Sequence, residues 1–486
     1  MKNKIQLITY VDRIGCSNFQ ELKSLLENEL DELFGGVHVL PFFNPIDGED
    51  AGFDPKDHKM VDSRLGNWLD VKSLTETVDV MADLIVNHMS ADSEEFKNFL
   101  QFGNDSEFSS LFLTKDRVFP SGASDEELSA IYRPRPSSPF TSYAMADGSE
   151  KMIWTTFTSK QVDIDVNSTA GKVYLDSILG IYQQAGISMI RLDAAGYAIK
   201  KPGTSCFMIP ETFEFIDALT KKARNLGIEV LVEIHSFYKT QIEIAKKVDY
   251  VYDFALPVLV LDTLFNKNAE NLKRWLQVAP RNVITVLDTH DGIGVVDVAS
   301  EGQEKGLIPD AVLEEIVDAI HENSEGRSRK ATGAAASNLD LYQVNCTYFE
   351  ALGRNEDAYL AARAIQFFVP GVPQVYYVGL FGDDNDMDLL DRTNVGRDIN
   401  RHYYSKDEIL TKIKSSMFQK LANLMKLRNA HNAFNGEFQI DNTRETILKI
   451  TWIKGNEWIS LEVDLGSYGF RISGTERKEE KVLFYN

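Results

Sequence analysis

Four short apolar runs in this chain end in residues that can do chemistry. They close as Asp83-Leu-Ile-Val-Asn87-His88, Arg191-Leu-Asp193, Glu233-Ile-His235 and Asp288-Thr-His290-Asp291. An Asp after a strand is commonly a helix N-cap or a turn residue, and Asp291-Gly292 is a turn signal by itself. Capping, however, does not call for Arg191 two residues before Asp193 on the same face of a strand, nor for His290 directly before Asp291. It does not call for Glu, a poor N-cap, at residue 233 either. Arg191 beside Asp193 predicts an aspartate kept ionised by a fixed cation. Three carboxylates converging with arginine and two histidines are a recurring requirement of glycosidic-bond chemistry. One carboxylate attacks the anomeric carbon and another protonates the departing oxygen, and a retaining enzyme holds the two about 5 to 5.5 Å apart. Asp193 and Glu233, at the ends of neighbouring strands, could meet that distance.

For these groups to converge, their strands must open on one mouth. Eight apolar runs read as strands: residues 5–10, 36–43, 80–87, 187–192, 229–234, 250–256, 283–287 and 372–378. Between them lie helical patterns at 19–33, 174–184, 212–225, 241–247, 269–278 and 358–368, and a short helix closing at 74–78. Strands that are apolar on both faces and joined by helices pair in parallel, and eight such units predict an α/β fold of the (β/α)₈ barrel type. No Gly-rich phosphate fingerprint follows the first strand, which argues against a dinucleotide-binding sheet. Catalytic groups of such barrels collect at the C-terminal ends of the strands, where these four motifs fall. The expected organisation is a barrel of 1–87, 167–292 and 351–433, an inserted domain at 88–166 after strand 3, a small insertion at 293–350 after strand 7, and a C-terminal β domain at 434–486.

The 486 residues carry a net charge of −22, which excludes a general nucleic-acid or anionic-membrane binder. Hydrophobic residues make up 43% and aromatics 10%, enough for a large core. Cys16, Cys206 and Cys346 form no CxxC pair, so neither a disulfide framework nor a cysteine zinc site is indicated, and a reducing compartment is expected. The first residues lack a signal-peptide pattern and no run reaches the ~18 apolar residues of a membrane span, so the expectation is cytoplasmic. The Asn167 and Asn345 sequons are then without consequence.

The four strand ends match the signature regions of the α-amylase superfamily, glycoside hydrolase family 13, from about Ile5 to Gly379. Asp50-Ala-Gly-Phe53-Asp-Pro, Ile131-Tyr-Arg-Pro-Arg-Pro, Gln161-Val-Asp-Ile-Asp, Ala334-Ala-Ala-Ser-Asn-Leu-Asp-Leu-Tyr-Gln-Val-Asn and Gly396-Arg-Asp-Ile-Asn-Arg-His-Tyr-Tyr more closely resemble segments of the sucrose phosphorylases. That resemblance implies a two-step, retaining transfer of glucose from sucrose to phosphate. It implies Asp193 as nucleophile, Glu233 as acid and then base, and Asp291 as the third, stabilising carboxylate, bonded to sugar hydroxyls with His88, Arg191 and His290. Asp50 and Arg397 would clamp the far side of the glucosyl ring, and Phe53 would offer a stacking face. Asp340, Leu341, Tyr342 and Gln343 match a mobile acceptor loop, with Tyr342, Arg135 and His235 near phosphate or fructose.

The residues agree in kind. An acidic protein that handles phosphate needs a local positive patch, and Tyr132-Arg133-Pro-Arg135-Pro offers two arginines on a proline-held loop. Asn87 occupies a position that binds calcium in many α-amylases, but sucrose phosphorylases lack that site, so neither metal nor cofactor is expected. The expected partners are sucrose and inorganic phosphate, with no nucleic acid and no membrane, and a homodimer is compatible with the chain. Competing readings are a phosphorylase for sucrose 6'-phosphate or glucosylglycerate, and a hydrolase or transglucosidase. Asp340-Leu-Tyr-Gln favours plain sucrose. Non-catalytic transport-associated relatives of this barrel have lost the carboxylates, which this chain retains.

Overall fold

The computed structural model describes residues 2–134, 137–334, 343–476 and 479–486. Eight strands close a barrel: β1 (Gln6–Thr9), β2 (Gly36–Val39), β3 (Asp79–Ile85), β4 (Met189–Asp193), β5 (Glu229–Val232), β6 (Tyr250–Asp253), β7 (Val283–Thr285) and β8 (Val372–Tyr376). Each pairs in parallel with its sequence neighbours, and β1 closes the ring on β8. Six of the eight lie within the apolar runs that the sequence offers, while β3 starts one residue before its run, at Asp79, and β4 ends one residue past its run, at Asp193. The crossovers are α1 (Phe19–Glu27), α2 (Trp68–Thr75), α3 (Thr169–Ala185), α4 (Pro210–Asn225), α5 (Tyr238–Ala245), α6 (Leu256–Phe265), α7 (Glu270–Val278) and α8 (Glu356–Phe368), and α9 (Ser416–Ala430) packs on α8 after the last strand.

One element departs from expectation. The apolar run 250–256 stops being strand at Asp253, and Leu256-Pro-Val-Leu-Val-Leu continues as α6, a helix buried on nearly every side. A continuous apolar run cannot by its period tell a buried strand from a buried helix. Pro257 in the first turn and the Leu256 backbone N–H donating to Asp253 Oδ1 at 3.1 Å start the helix. α1 also ends early, at Glu27, although Leu30 and Leu33 beyond it are buried in turns.

Between β3 and α3 the chain leaves the barrel. There His88–Ser90 pairs antiparallel with Gln161–Asp163, and the hairpin Phe140–Ala144/Glu150–Trp154 builds a second small core with Leu113, Phe119 and Ile131. Cys206, from the loop after β4, completes that core and so ties the excursion to the mouth. After β7, Ile293–Gly294 pairs with Gln343–Val344 across a segment holding the helices Asp310–Asn323 and Arg327–Ala334. Beyond the barrel, Glu437–Ile440, Ile447–Lys454, Glu457–Asp464, Phe470–Glu476 and Glu479–Tyr485 form a sequential five-stranded antiparallel sheet. Its Trp452 donates Nε1–H to the Phe368 carbonyl at the end of α8, 2.6 Å away, pinning the sheet to the barrel. Among the described residues no helix is long and apolar enough to cross a membrane.

Candidate active site

Register places the chemistry. On β4, Arg191 and Asp193 point to the same side, and Arg191 lies directly opposite Asp83 of β3. The buried Arg191 guanidinium reaches Asp83 at 2.5 Å and Asp193 at 3.3 Å through Nη1, and Glu233, just past β5, at 2.5 Å through Nη2. One cation therefore serves three carboxylates. Asp83 also accepts from His38 Nε2 at 3.2 Å, and although burial opposes ionisation, Arg191 first, with the His38 contact, holds it near pKa 2.

The division of Arg191 changes the expected state of Asp193. Beside a cation of its own, Asp193 would be held ionised. Here burial first, and the Glu233 and Asp83 carboxylates after it, outweigh Arg191 and push the Asp193 carboxyl well above the usual range. Asp193 and Glu233 are hydrogen-bonded side chain to side chain. Both carboxylates lie on one guanidinium, Asp193 at 3.3 Å and Glu233 at 2.5 Å, a proximity that fits the shorter spacing of a retaining pair. The same proximity gives the proton a short path from one carboxyl to the other.

Asp291, in the loop after β7, is in the opposite condition. Burial opposes its charge, but Arg397 Nη1 at 2.8 Å, with Arg401 and Arg191, holds it far below the ordinary carboxylate range. Arg397 also bonds Asp50 Oδ2 at 3.0 Å, and Arg401 Nη2 bonds Asp50 Oδ1 at 3.1 Å. Asp50 and Ala51 both take left-handed backbone, φ 46° and 57°, conformations that cost about 1 to 3 kcal/mol each and cluster at functional sites. His290 is driven down to about pKa 3 by burial, so it is a neutral ring, stacked on Phe53 with centroids 5.0 Å apart and planes 8° from parallel. Arg191 sits 5.3 Å from the same Phe53 ring. His88 is likewise lowered by burial, and its Nε2 contacts the Phe53 carbonyl at 2.9 Å.

These groups line a cavity of about 150 Å³, a volume that accommodates one six-membered ring. Asp193, Glu233, Asp291, Asp50, Arg397, His88, His290, Phe53, His235 and Gln343 all contribute to its wall, while Arg191 lies beneath. Of the remaining expected residues, Arg135, Asp340, Leu341 and Tyr342 lie outside the described residues. Potential ligand atoms of Glu233, His235 and Asp291 come within 4.8 Å of one another. Both carboxylates are already matched by Arg191 and Arg397, so the site neutralises its acids with guanidinium groups.

The catalytic-domain model of the α-amylase family matches residues 32–303. A sucrose phosphorylase from Agrobacterium vitis is 56% identical over 98% of this chain and 99% of its own length. One from Bifidobacterium adolescentis is 52% identical over 93% and 90%. The chain belongs to the sucrose phosphorylases of the α-amylase family. Among solved structures, a sucrose 6F-phosphate phosphorylase from Thermoanaerobacter thermosaccharolyticum superposes with a TM-score of 0.91 at 38% identity, covering 99% of this chain and 97% of that one.

Gln161 in the cavity wall and three residues packed behind it, Arg401, Asp297 and Lys200, escape a reading by strand ends. Arg401 is fully buried and donates to the His290 carbonyl at 2.9 Å as well as to Asp50, so it braces two walls at once. It was legible only as the second arginine of Gly396-Arg-Asp-Ile-Asn-Arg. Gln161 reaches within 3.2 Å of His88 Nε2. Asp297 accepts from His235 Nδ1 at 2.8 Å.

Lys200 is the fourth. Its ammonium lies between Asn87 Oδ1 and Asp163 Oδ2, both at 2.8 Å, and donates to the Tyr197 carbonyl, with 1% of the side chain exposed. A lysine tethered to the loop after β4 thus supplies positive charge beside Asn87, where the inserted segment rejoins the barrel. Lys200→Met would leave Asp163 buried with only Thr156 donating to it. The expected loss is about 3 to 5 kcal/mol of stability, read by denaturant unfolding, and a change below about 0.5 kcal/mol would contradict this role.

Proposed function

We propose that the chain catalyses reversible phosphorolysis of sucrose to α-glucose 1-phosphate and fructose, through a β-glucosyl-enzyme. The carrying observation is the Asp193–Glu233 contact over Arg191, in a chain 56% identical to a sucrose phosphorylase. Glucose occupies the cavity with Phe53 and the neutral His290 against one face. Asp50 and Arg397 hold its far hydroxyls, and Asp291 accepts hydroxyl protons close to the anomeric centre. The shared proton passes to Glu233 as Asp193 turns to the anomeric carbon. The Asp193 oxygen forms a bond to that carbon, the bond to the fructosyl oxygen breaks, and Glu233 delivers its proton to the departing oxygen. Phosphate then attacks from the face that fructose left, Glu233 takes its proton, and Asp193 is released with the starting anomeric configuration.

The reaction needs no cofactor, and inorganic phosphate is a co-substrate. The free, buried cysteines suit a reducing cytoplasm. Relatives at 40% and 38% identity are named sucrose 6(F)-phosphate phosphorylase and glucosylglycerol phosphorylase, so the donor is the point to test. With phosphate in excess, kcat/KM should be highest for sucrose, with fructose and glucose 1-phosphate in equal amounts. A preference for sucrose 6'-phosphate or for glucosylglycerol would overturn this choice of donor.

A further inference from the structure

The reaction proposed above sets a problem that Asp193 and Glu233 do not solve. Water is ~55 M, and millimolar phosphate must overcome roughly a 10⁴-fold deficit to be the acceptor. A group that favours an anion has to stand on the acceptor side, next to Glu233. Among the described residues Arg133 also lines this cavity, from the inserted segment, but the side chain that shares a turn with the acid is His235, two residues beyond Glu233 and in the cavity wall.

His235 is clamped on three sides. Phe254 stacks on its face, centroids 3.8 Å apart and planes 12° from parallel. Gln343 Nε2 lies 3.2 Å from its Nε2, and Asp297 Oδ2 lies 2.8 Å from its Nδ1. Asp297 is 1% exposed and also accepts the Ser236 backbone N–H at 3.1 Å, so both its oxygens are turned toward the His235 turn. The fit leaves no slack at Gly294. A Cβ there would come within 2.7 Å of Asp297 Oδ2 and 3.0 Å of His235 Nδ1, a close approach that only glycine permits.

We propose that Asp297 is a positioning residue for the acceptor half of the reaction, fixing His235 with Nδ1–H turned inward and Nε2, now against the Gln343 amide, on the cavity side where the incoming phosphate would displace that amide. A carboxylate on one ring nitrogen dictates the tautomer and favours the doubly protonated ring, whose Nε2–H is then a charge-assisted donor to an anion and gives nothing comparable to water. The surroundings agree. Burial works against the imidazolium, but Asp297 first, with Glu233 and Asp291, overrides it, and His235 is held above its ordinary pKa. No lysine or arginine stands among the main influences on this ring, which faces Asp297 from the β7 insertion, Glu233 from its own turn and Asp291 from the loop after β7. Because the folded-state pKa is raised, the charged donor is complete below that pKa and is lost as pH rises through it. Asn at 297 lowers that pKa and moves the loss to lower pH.

The inference rests on phosphorolysis of sucrose, and its test separates the two. Asp297→Asn keeps shape and removes charge. The KM for phosphate should rise about tenfold, the size of one charge-assisted bond, while sucrose hydrolysis without phosphate stays within about twofold. The alkaline rise in phosphate KM should begin at lower pH than in the parent chain. In a His235→Asn background, Asp297→Asn should change phosphate KM by less than about twofold, because its effect passes through the ring. If Asp297→Asn does not fold, Gly294→Ala, which wedges a methyl against the pair, should shift phosphate KM in the same direction. Unchanged phosphate KM and pH dependence, or an equal effect in both backgrounds, would overturn the role of Asp297 in a chain that still phosphorolyses sucrose. A parent chain that forms no sugar phosphate would overturn the functional reading and this one with it.

Discussion

Asp193→Ala should remain folded and lose turnover by a factor on the order of 10⁶, which is about 8 kcal/mol of transition-state stabilisation. In the proposed reaction this carboxylate forms the covalent bond to the glucosyl carbon, and no binding interaction replaces a missing nucleophile. The fold should tolerate the change. Asp193 ends β4 instead of packing in the core, and Arg191 keeps Asp83 and Glu233 as partners when it goes. Losing one of three carboxylates around one buried cation also removes the burial cost, and after it the repulsion, that raise Asp193, so thermal stability should be unchanged or higher. The check is steady-state phosphorolysis beside thermal unfolding, and a folded variant with residual activity above about 1% would remove Asp193 from its role.

Glu233→Gln should have the second-largest effect, and a selective one. A fructosyl alkoxide is a poor leaving group without a proton, so sucrose turnover should fall by about 10³- to 10⁴-fold, the upper range for general acid catalysis. Glucosyl fluoride departs without protonation, and its first step should stay within about tenfold of the parent. Gln retains a side chain of the same shape beside Arg191, which separates loss of the acid from loss of geometry. Equal losses on fluoride and sucrose would show that residue 233 acts by position or charge and not as the acid.

The parts of this site that were legible in the sequence are those that the barrel makes local. An apolar run ending in Arg-x-Asp puts the two side chains on one face by the alternation of a strand, and Arg191 and Asp193 indeed face one another at 3.3 Å. Glu233 and Asp291 were visible because a residue that ends a parallel strand must face the mouth. The charge state of Asp193 was not visible, because it depends on how many acids share Arg191, and Asp83 and Glu233 come from other strands. Arg401 bonds Asp50 across 351 residues of chain, in a loop without periodicity. Lys200, beside Lys201, reads as a solvated charge until the fold closes over it, and Asp297 reads as a turn residue until the loop after β7 is laid against the His235 turn. The α6 run beyond Leu256 was not legible as a helix because a helix buried all round has no polar face to reveal its period.

The central claim is a glucosyl bond to Asp193, and the direct measurement is to isolate it. Glu233→Gln charged with glucosyl fluoride in the absence of phosphate should accumulate the covalent intermediate, because breaking it down requires the base that the variant lacks. After acid quench and proteolysis, mass spectrometry should find one added hexosyl unit on the peptide that carries Asp193, and a chase before the quench with azide, an anion that needs no base, should remove it. A chain that turns over the fluoride with no adduct at Asp193, or with the adduct on another carboxylate, would contradict the account.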